Sequence, residues 1–418
     1  MSRASDIEPK DIARWRGRRV LMLTSSYPAS ATDFRARFVH DMAIALKNDG
    51  ARCCVVAPRV PASASYECLD GISIDRFEYP GWQSSAVSGP MGILDQLRRH
   101  PEGLLSVPAF LQRMARAVAR RAAAFEPDLI LAHWVVPSGL ALRATGVEVR
   151  SATIAHSSDV HLLASLGPLG RGIARWIDAK VPIFATSQFL ARTLTRKGLS
   201  PNPPVLSLGV QQPSMLDRPP KPKRAIISEG SAIVEGAAIL ERPPTVTAVC
   251  AMGRFIPIKG FELLLNAVRQ VPHLTLTIAG DGPLRAHLQR CARAPNLAGR
   301  VEIRAPVLDN EKAAFFGRHD IFAFTGISRG RFVDNLPISA LEAMAHGCAI
   351  VSTRVGAMPE LLANGCGILA DADAASLAAA LSKASMNLAT MSRLAREEAK
   401  QRAWPQVSRR LLDLTGLA

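Results

Sequence analysis

The stretch Thr245–Gln270, TVTAVCAMGRFIPIKGFELLLNAVRQ, contains two patterns joined by a short loop. Its first part, Thr245–Ala251, is a continuous apolar run of the length expected for a buried strand. Its last part, Gly260–Gln270, has the apolar spacing of an amphipathic helix. A strand followed by a loop and a helix predicts one repeat of a parallel α/β sheet.

The same alternation of short apolar runs and helical segments extends through both halves of the chain. The other predicted strands are Arg19–Thr24, Cys53–Ala57, Asp128–Ala132, Ser151–Ala155, Pro182–Thr186, Leu274–Ala279, Val301–Ile303, Ile321–Phe324 and Ala349–Thr353. The other predicted helices are Phe34–Lys47, Pro283–Arg293 and Pro337–His346. The predicted fold class is therefore α/β, with two Rossmann-like, doubly wound parallel-sheet domains that face a cleft.

A change of composition separates the two halves. Pro, Lys and Arg are frequent in residues 209–244, which we interpret as a linker and an irregular lead-in to the second domain. The other predicted parts are a flexible tail (1–17), a first domain (18–208), a second domain (245–400) and a C-terminal helix (401–418) that packs back on the first domain.

Composition excludes several classes of protein. With 418 residues, of which 48% are hydrophobic and 21% charged, the chain is neither disordered nor fibrous. Lys and Arg exceed Asp and Glu by 51 to 35, a net charge of +16 that predicts an anionic partner. Charge alone leaves open a nucleic acid, a phosphorylated ligand or an acidic membrane. The seven cysteines are scattered and form no Cys-x-x-Cys pair, which argues against a zinc site.

The first candidate site is Gly253–Gly260, which follows a predicted strand and precedes a predicted helix. Arg254 and Lys259 would lie at the carboxyl end of the strand, next to free N–H groups of the helix N-terminus. A guanidinium and an ammonium in such a place suit a diphosphate. The alternative is two surface cations near a turn.

The second candidate site joins a loop to a helix. Asp334 lies in the loop and Glu342 on the helix, and the helix N-terminus near Asn335 and Leu336 offers backbone N–H groups to a phosphate. Glu342 would accept hydrogen bonds from ribose hydroxyls. The alternative makes Asp334 an N-terminal helix charge and Glu342 a solvated residue.

Two histidines follow predicted strands of the first half. His156 in the stretch AHSSD (155–159) would face the cleft, and His133 precedes Trp134 in a similar position. Each is alternatively a hydrogen-bonding loop histidine. For His133 we favour that alternative.

Together these pieces resemble the retaining glycosyltransferases of family 4, which have the GT-B fold. The resemblance covers about residues 19–404 and is densest at Met252–Leu362. Its four pieces are GRFIPIKG (253–260), AGDGP (279–283), the segment Asp334–Gly347 and VGAMPE (355–360). The order and spacing of the four pieces make the match specific. Looser agreement comes from SYP (26–28), His133-Trp134 and HSSD (156–159).

The resemblance implies a role for each candidate residue. Arg254 and Lys259 would bind the diphosphate of a nucleoside-diphosphate sugar, with help from the backbone at Asn335 and Leu336. Glu342 would hold the ribose. Asp334 would contact the transferred sugar, and His156 its C6 hydroxyl. The second domain would thus bind the nucleotide sugar, with the base near residues 305–307, and the first domain would lie on the acceptor side.

Three departures from the family pattern stand out. Asp334 replaces the usual Glu and is one methylene shorter. Residues 29–35, ASATDFR, replace a Gly-Gly loop, and Arg35 or Arg37 would compensate at the phosphate. Ala357 replaces a common Gly.

The implied reaction is transfer of a hexose-type sugar, with retained configuration, from a UDP- or GDP-sugar to a saccharide or lipid-linked acceptor. We expect no cofactor and no metal, because no Asp-x-Asp motif follows a donor loop. The open alternatives are a non-catalytic nucleotide-sugar-binding partner of another transferase, and a GT-B sugar-nucleotide epimerase or phosphorylase. Nucleic-acid binding is not expected, because no motif supports it.

The expected location is cytoplasmic, with an anionic membrane surface on the inner face of the cytoplasmic membrane as a further partner. Residues 1–19 lack the apolar core of a signal peptide, and Leu129–Leu142 is too short to span a bilayer. An amphipathic helix at 109–123 could contact lipid. Its apolar side carries Phe110, Leu111, Met114 and Val118, and its basic side Arg113, Arg116, Arg120 and Arg121. The alternative is a packed helix with a solvated basic face.

Overall fold

The computed structural model describes residues 14–30, 33, 35–61, 63–84, 87–88, 93, 97, 100–213, 246–328 and 335–418. Most of the predicted linker (209–244) and residues 1–13 of the predicted tail lie outside this part of the chain, as does Asp334. The chain divides into two compact units. Unit 1 comprises Met1–Gly209 and Trp404–Ala418, and unit 2 comprises Val210–Ala403.

Unit 1 contains a seven-stranded sheet. Its strands are β1 (Arg19–Leu23), β2 (Arg52–Pro58), β3 (Tyr66–Leu69), β4 (Ile72–Phe77), β5 (Leu129–His133), β6 (Ser151–Ala155) and β7 (Ile183–Ala185). Their order is β3-β4-β2-β1-β5-β6-β7, and all neighbours are parallel except the β3–β4 pair at the edge. The order reverses between β1 and β5, which is the switch point of a doubly wound sheet.

Helices cover both faces of this sheet. They are α1 (Arg37–Asn48), α2 (Val107–Phe125), α3 (Leu140–Thr145), α4 (Ser158–Ser165), α5 (Gly167–Asp178), α6 (Gln188–Arg196) and α14 (Trp404–Thr415). Residues of β1 alternate between two cores, since Leu21 and Leu23 pack with α2–α6 while Val20 and Met22 pack with α1 and α14. Five helices therefore share one face of the sheet.

Unit 2 contains a six-stranded parallel sheet. Its strands are β8 (Thr247–Met252), β9 (Leu274–Ala279), β10 (Val301–Arg304), β11 (Ile321–Phe324), β12 (Ala349–Thr353) and β13 (Gly367–Ala370). The order is β10-β9-β8-β11-β12-β13, so the switch point lies between β8 and β11. Its helices are α7 (Phe261–Arg269), α8 (Arg285–Ala292), α9 (Asp309–Gly317), α10 (Ile338–Ala345), α11 (Met358–Leu361), α12 (Ala374–Met386) and α13 (Leu388–Gln401).

The predicted strands are confirmed to within two residues, and two other predictions, the flexible tail and the start of the first helix, need correction. Trp15 is fully buried and its N–H donates to Asp49 O, so the described residues of the predicted tail belong to unit 1. Helix α1 begins at Arg37 rather than Phe34. Its N-cap Ala36 has a left-handed φ of 46°, which interrupts the helix before that point.

The amphipathic segment at 109–123 is helical but its apolar side faces inward. Phe110, Met114 and Val118 are buried in the core of unit 1. Arg113, Arg116 and Arg120 are exposed as predicted, whereas Arg121 is partly buried and its Nε lies 3.0 Å from Cys54 Sγ. The apolar stripe is therefore part of the core. Among the described residues, none of the helices has the length and apolarity needed to cross a membrane.

Candidate functional site

The predicted anion site of unit 2 lies at its switch point. Arg254 and Lys259 belong to the loop that follows β8 (Thr247–Met252), and Thr325 follows the neighbouring strand β11 (Ile321–Phe324). Carboxyl ends of parallel strands meet at one edge of a sheet, and ligands of doubly wound folds bind where the strand order reverses. The sheet therefore brings this loop to the edge where a ligand is expected.

Two loops of this edge, which follow β8 and β9, pack on one another through their backbones. Phe255 N donates to Asp281 O at 2.7 Å, and Leu284 N donates to Phe255 O at 3.0 Å. A Cβ on Gly280 would lie 1.9 Å from Gly253 O, so the two loops approach too closely for any other residue. These contacts fix the backbone that carries Arg254.

Lys259 is held by the loop after β11. Thr325 Oγ1 donates to Lys259 O at 3.0 Å, and Ile327 N donates to Ile258 O at 2.9 Å. The Lys259 ammonium lies 5.5 Å from the centre of the Phe324 ring, within the range of a cation–π contact. Arg254 is exposed and Lys259 is partly buried. The Arg254 side chain is thus accessible to a ligand from solvent, while Lys259 is positioned by its neighbours.

Helix α10 starts later than the sequence indicates. Its N-cap is Pro337 and its first residue is Ile338, because Pro337 has an extended backbone. Asn335 and Leu336 therefore precede the helix, and Asn335 O accepts a bond from Ala357 N at 3.1 Å. Asn335 is buried and Leu336 partly buried, and both predicted donor-binding residues lie in the loop before α10 and not in its first turn.

Glu342 lies on α10 (Ile338–Ala345) and pairs with a residue that the sequence analysis missed. Lys312 Nζ is 2.6 Å from Glu342 Oε1 and 2.8 Å from Asp309 Oδ1. Both side chains of the Lys312–Glu342 pair are largely buried, at 20% and 17% exposure. Burial acts to lower the pKa of Lys312, but the carboxylates of Glu342 and Asp309 outweigh it and raise the pKa above its usual value. The two residues lie 30 positions apart, so no local pattern indicated the pair.

The two histidines of unit 1 are hydrogen-bonded to each other. His133 ends β5 (Leu129–His133) and His156 follows β6 (Ser151–Ala155), its neighbour in the sheet. His133 Nδ1 and His156 Nε2 are 3.2 Å apart, and the ring planes differ by 17°. The ring centres of Phe38 and Trp134 each lie 4.9 Å from the ring centre of His156. His133 is thus more than a loop histidine, because it orients the predicted sugar-contacting residue.

Burial keeps this histidine pair neutral. It lowers the pKa of His133 to about 3 and, with His133 itself, holds the pKa of His156 well below the usual value. Neutral imidazoles have one N–H and one lone pair each, so one ring donates to the other. His156 can then offer its remaining nitrogen to a hydroxyl group.

Asp159 braces the backbone beside the pair. Its carboxylate accepts Val135 N at 2.7 Å and His156 N at 3.1 Å. Burial raises the pKa of Asp159 to about 6. Trp134 and Ser157, which directly follow the two histidines, have left-handed φ values of 70° and 96°. Such strain concentrates at functional sites, and it is the signal that sequence reasoning could not provide.

The arginines expected to compensate for the altered first loop are already ion-paired. Arg35 Nε lies 2.8 Å from Asp33 Oδ2, and Arg37 Nε lies 3.3 Å from Asp41 Oδ1. A phosphate would compete with these carboxylates. Within the ranges that the structure describes, no group of three or more His, Cys, Asp or Glu residues is arranged to hold a metal ion.

Two family models match the chain in succession. The model described as Glycosyltransferase Family 4 matches residues 36–210, and the model described as Glycosyl transferases group 1 matches residues 245–387. Together they cover most of the two units.

Curated relatives match shorter stretches. A GDP-mannose-dependent alpha-(1-6)-phosphatidylinositol monomannoside mannosyltransferase of Mycolicibacterium smegmatis is 34% identical over 123 residues, which is 28% of this chain and 32% of the relative. The lipopolysaccharide core biosynthesis glycosyltransferase LpsE of Rhizobium meliloti is 30% identical over 125 residues, 30% of this chain and 35% of the relative. The chain thus spans about a third of the length of these relatives.

Solved structures resemble almost the whole chain. Sucrose-phosphate synthase from Thermosynechococcus elongatus superposes with a TM-score of 0.68 at 18% identity, covering 96% of this chain and 99% of the other. HepE of Anabaena, solved with UDP and glucose, has a TM-score of 0.62 at 18% identity and covers 95% and 99%. These likenesses confirm the predicted fold class. The chain belongs to the group 1 glycosyltransferases of family 4 and has the GT-B fold.

Proposed function

We propose that this chain transfers a hexose-type sugar from a UDP- or GDP-sugar to a saccharide or lipid-linked acceptor, with retained configuration. Polysaccharide or glycolipid synthesis is the corresponding process. The observation that carries the proposal is the pair Arg254 and Lys259 on a braced loop at the switch point of unit 2. Membership in the family supports the same reaction.

In the proposed reaction, unit 2 binds the donor and stabilises its leaving group. Arg254 and Lys259 neutralise the diphosphate charge that develops as the glycosidic bond breaks, and they do so without a metal ion. Backbone N–H groups at the start of α10 (Ile338–Ala345), beside Asn335 and Leu336, add to this. Glu342 accepts hydrogen bonds from the ribose hydroxyls.

The remaining assignments concern the sugar. Asp334 contacts the transferred sugar, and neutral His156 bonds its C6 hydroxyl, as the resemblance implies. The relatives' names include lipid and lipopolysaccharide acceptors, which supports an acceptor of that chemical class. We place the protein in the cytoplasm, with part of the population on the inner face of the cytoplasmic membrane.

Titration of the full chain with UDP, GDP and their sugars tests donor binding. Arg254→Ala or Lys259→Ala should each cost about 1.5–3 kcal/mol in nucleotide affinity, the range for hydrogen bonds to charged groups. Arg269→Ala is the matched control, because Arg269 is an exposed cation at the last turn of α7 (Phe261–Arg269). Unchanged affinity in both site variants would overturn the donor assignment.

Product analysis decides between transfer and its alternatives. Transfer predicts a new glycosidic product whose anomeric configuration, read by NMR, equals that of the donor, with turnover that persists in EDTA. Nucleotide binding without product would favour the non-catalytic partner, for which the shorter Asp334 is the supporting observation. Interconversion of nucleotide sugars would favour an epimerase.

A further inference from the structure

One face of unit 1 is rich in basic residues and poor in acidic ones. The helices α2 (Val107–Phe125), α3 (Leu140–Thr145), α4 (Ser158–Ser165), α5 (Gly167–Asp178) and α6 (Gln188–Arg196) all bury residues in the same core. Together they contain nine arginines and two acidic residues, Asp159 and Asp178. This layer of five helices, called the basic layer below, is therefore almost free of carboxylates.

The two carboxylates of the basic layer accept hydrogen bonds from other groups of unit 1. Asp159 is buried and accepts backbone N–H groups of Val135 and His156. Asp178 accepts Ile183 N at 2.9 Å and Ser200 Oγ at 2.7 Å. Neither offsets the charge of the arginines at the surface. Exposed Glu102, Glu126 and Glu148 flank the helices but are fewer than the exposed arginines, so the outer side of the layer carries a net positive charge.

Exposed apolar side chains accompany this charge. Of the seven large hydrophobic residues that are exposed in the described part of the chain, five lie in the basic layer or directly before it. They are Leu104 (58% exposed), Leu105 (87%), Leu166 (44%), Leu169 (65%) and Trp176 (43%). The core already takes the apolar stripe of α2, so these residues are the ones available for contact with an apolar phase.

Around α5 the apolar and basic side chains are neighbours. The Arg143 guanidinium lies 4.3 Å from the centre of the Trp176 ring, and its Nε donates to Trp176 O at 3.1 Å. Arg171 and Arg175 are exposed on α5, and Leu169 lies on the same helix two and six positions before them. Tryptophan, leucine and arginine side by side are typical of surfaces that sit at a membrane interface.

We propose that the α5 side of the basic layer docks on an anionic lipid bilayer, with Leu166, Leu169 and Trp176 inserted and Arg143, Arg171 and Arg175 on the headgroups. The inference specifies the membrane part of the proposed function and does not require transfer activity. A nucleic acid would match the charge but would leave the exposed leucines against hydrated phosphates. The exposed apolar residues therefore favour a bilayer.

Flotation with vesicles tests the charge component. The full chain should bind phosphatidylglycerol–phosphatidylcholine vesicles at low salt and lose binding as salt screens the charges, with little binding to phosphatidylcholine alone. Each basic residue near an anionic surface contributes about fivefold in affinity, so Arg171→Gln/Arg175→Gln should bind about 25-fold more weakly. The matched control is Arg409→Gln/Arg410→Gln, an equal charge change at exposed positions of α14 on the opposite face.

Two further variants test insertion. Leu166→Gln/Leu169→Gln should weaken binding about tenfold, from the lost transfer of apolar surface. Lipids with brominated acyl chains should quench the tryptophan fluorescence of the bound protein, and Trp176→Phe should remove most of that quenching. Trp15 and Trp404 are buried and serve as an internal background.

Four results would each overturn the proposal. They are an equal loss of vesicle binding in Arg409→Gln/Arg410→Gln, unchanged vesicle binding of both site variants, quenching that survives in Trp176→Phe, and tighter binding to duplex DNA than to vesicles. Nucleotide affinity should stay at the wild-type value in all variants, because the altered side chains belong to unit 1. Thermal unfolding should change little, because these side chains are exposed and Arg175 loses only its hydrogen bond to Gly198 O. Failure of donor binding would therefore contradict the proposed transferase and leave this docking surface standing.

Discussion

The carboxylate of Glu342 is held from one side. Lys312 contacts Oε1 at 2.6 Å, and Asp309 holds the lysine in turn at 2.8 Å. The ammonium fixes the orientation of the carboxylate before any ligand arrives, which reduces the entropy lost on binding. Oε2 is then the oxygen that the proposed function assigns to a ribose hydroxyl.

This pair makes a prediction about division of roles. Glu342→Ala should weaken binding of free UDP or GDP by about 1.5–3 kcal/mol, because a charged hydrogen bond to ribose is lost. Lys312→Met should weaken it less, since the carboxylate remains but is no longer oriented. Asp334→Ala should leave nucleotide affinity intact and reduce turnover, if Asp334 meets only the sugar. Calorimetric titration and steady-state rates measure the two quantities, with Glu302→Gln as an exposed control carboxylate. Equal losses of nucleotide affinity in the Glu342 and Asp334 variants would contradict this division.

The buried histidine pair makes a prediction about pH. The pKa of His133 is about 3 in the folded chain and about 6.5 when unfolded, so between these values the unfolded chain binds the extra proton. The free energy of unfolding should therefore fall as pH drops below about 6.5. Asp159 acts in the opposite sense between its usual pKa near 4 and its folded pKa of about 6, because there the folded chain holds the extra proton.

Comparison with His133→Gln isolates the effect of His133, because Asp159 and the buried His156 are present in both proteins. Between about pH 7.5 and about pH 5, the free energy of unfolding should fall by roughly 2 kcal/mol more in wild type than in the variant, because pH 5 lies about 1.5 units below the pKa of an unfolded histidine. Urea unfolding at the two pH values measures the difference. Parallel losses in wild type and variant would show that His133 is protonated without cost in the folded state.

At the scale of elements, the packing of two loops positions the proposed diphosphate site. Gly280 follows β9 (Leu274–Ala279), and a Cβ there would collide with Gly253 O at 1.9 Å and with the Phe255 ring at 2.8 Å. Gly280→Ala should therefore push the Arg254 loop away. We expect it to lower the free energy of unfolding by at least about 2 kcal/mol and to lower the nucleotide affinity.

Gly299→Ala is the control for that variant. Gly299 also has a positive φ, of 77°, but nothing lies within 4 Å of the added Cβ. Gly299→Ala should lower the free energy of unfolding by about 1–2 kcal/mol, because the backbone is strained, and leave the nucleotide affinity unchanged. Chemical denaturation and titration separate the two effects. Wild-type nucleotide affinity in Gly280→Ala would mean that the two loops do not position the site.

The sequence predicts strands with continuous apolar runs better than short or mixed ones. Central strands such as β1 (Arg19–Leu23) are almost entirely apolar, because both of their faces are covered by helices. The sequence does not predict β3 (Tyr66–Leu69), β4 (Ile72–Phe77) or β13 (Gly367–Ala370), because β3 and β4 mix polar with apolar residues and β13 has only four residues, most of them half-buried. The periodicity of α2 (Val107–Phe125) predicts a helix but not whether its apolar side faces a core or a lipid.

The same limit applies to the site. The loop residues Arg254 and Lys259 stand next to a strand and a helix, so local sequence is enough to place them at the sheet edge. Lys312 pairs with Glu342, and His133 with His156. The two residues of each pair are far apart in the sequence, so only the fold brings them together. The left-handed φ values at Trp134 and Ser157 have no local sequence signal either.

At the scale of the whole molecule, α14 (Trp404–Thr415) belongs to unit 1 although unit 2 precedes it in the chain. Trp404, Val407, Leu411 and Leu412 pack in the core with β1 and α1. Ser408 Oγ also donates to Asp49 Oδ2 at 2.5 Å. Unit 1 is therefore discontinuous, and its core is complete only when this helix is in place.

Trp404→Ala should cost about 3–5 kcal/mol in the stability of unit 1, the usual range for removing a buried tryptophan. Hydrogen exchange locates the effect. Amides of β1 (Arg19–Leu23) and β2 (Arg52–Pro58) should lose protection, whereas those of β8 (Thr247–Met252) and β9 (Leu274–Ala279) should keep it. Arg409→Gln, at an exposed position of the same helix, should change neither set. Equal loss of protection in both sheets would contradict the assignment of α14 to unit 1.

The discontinuity of unit 1 also sets an order of events on the ribosome. Residues 210–403 form one uninterrupted segment, so unit 2 can fold as soon as it has emerged. The first strands of unit 1 are synthesised long before, yet α14, one of the two helices that cover one face of their sheet, is translated after all of unit 2. During that interval the apolar face around Val20 and Met22 has only α1 as a cover, and the part that α14 will bury is open to chaperones. A stall in translation between residues 210 and 403 would therefore expose the nascent unit 1 for longer, without any change in the finished protein.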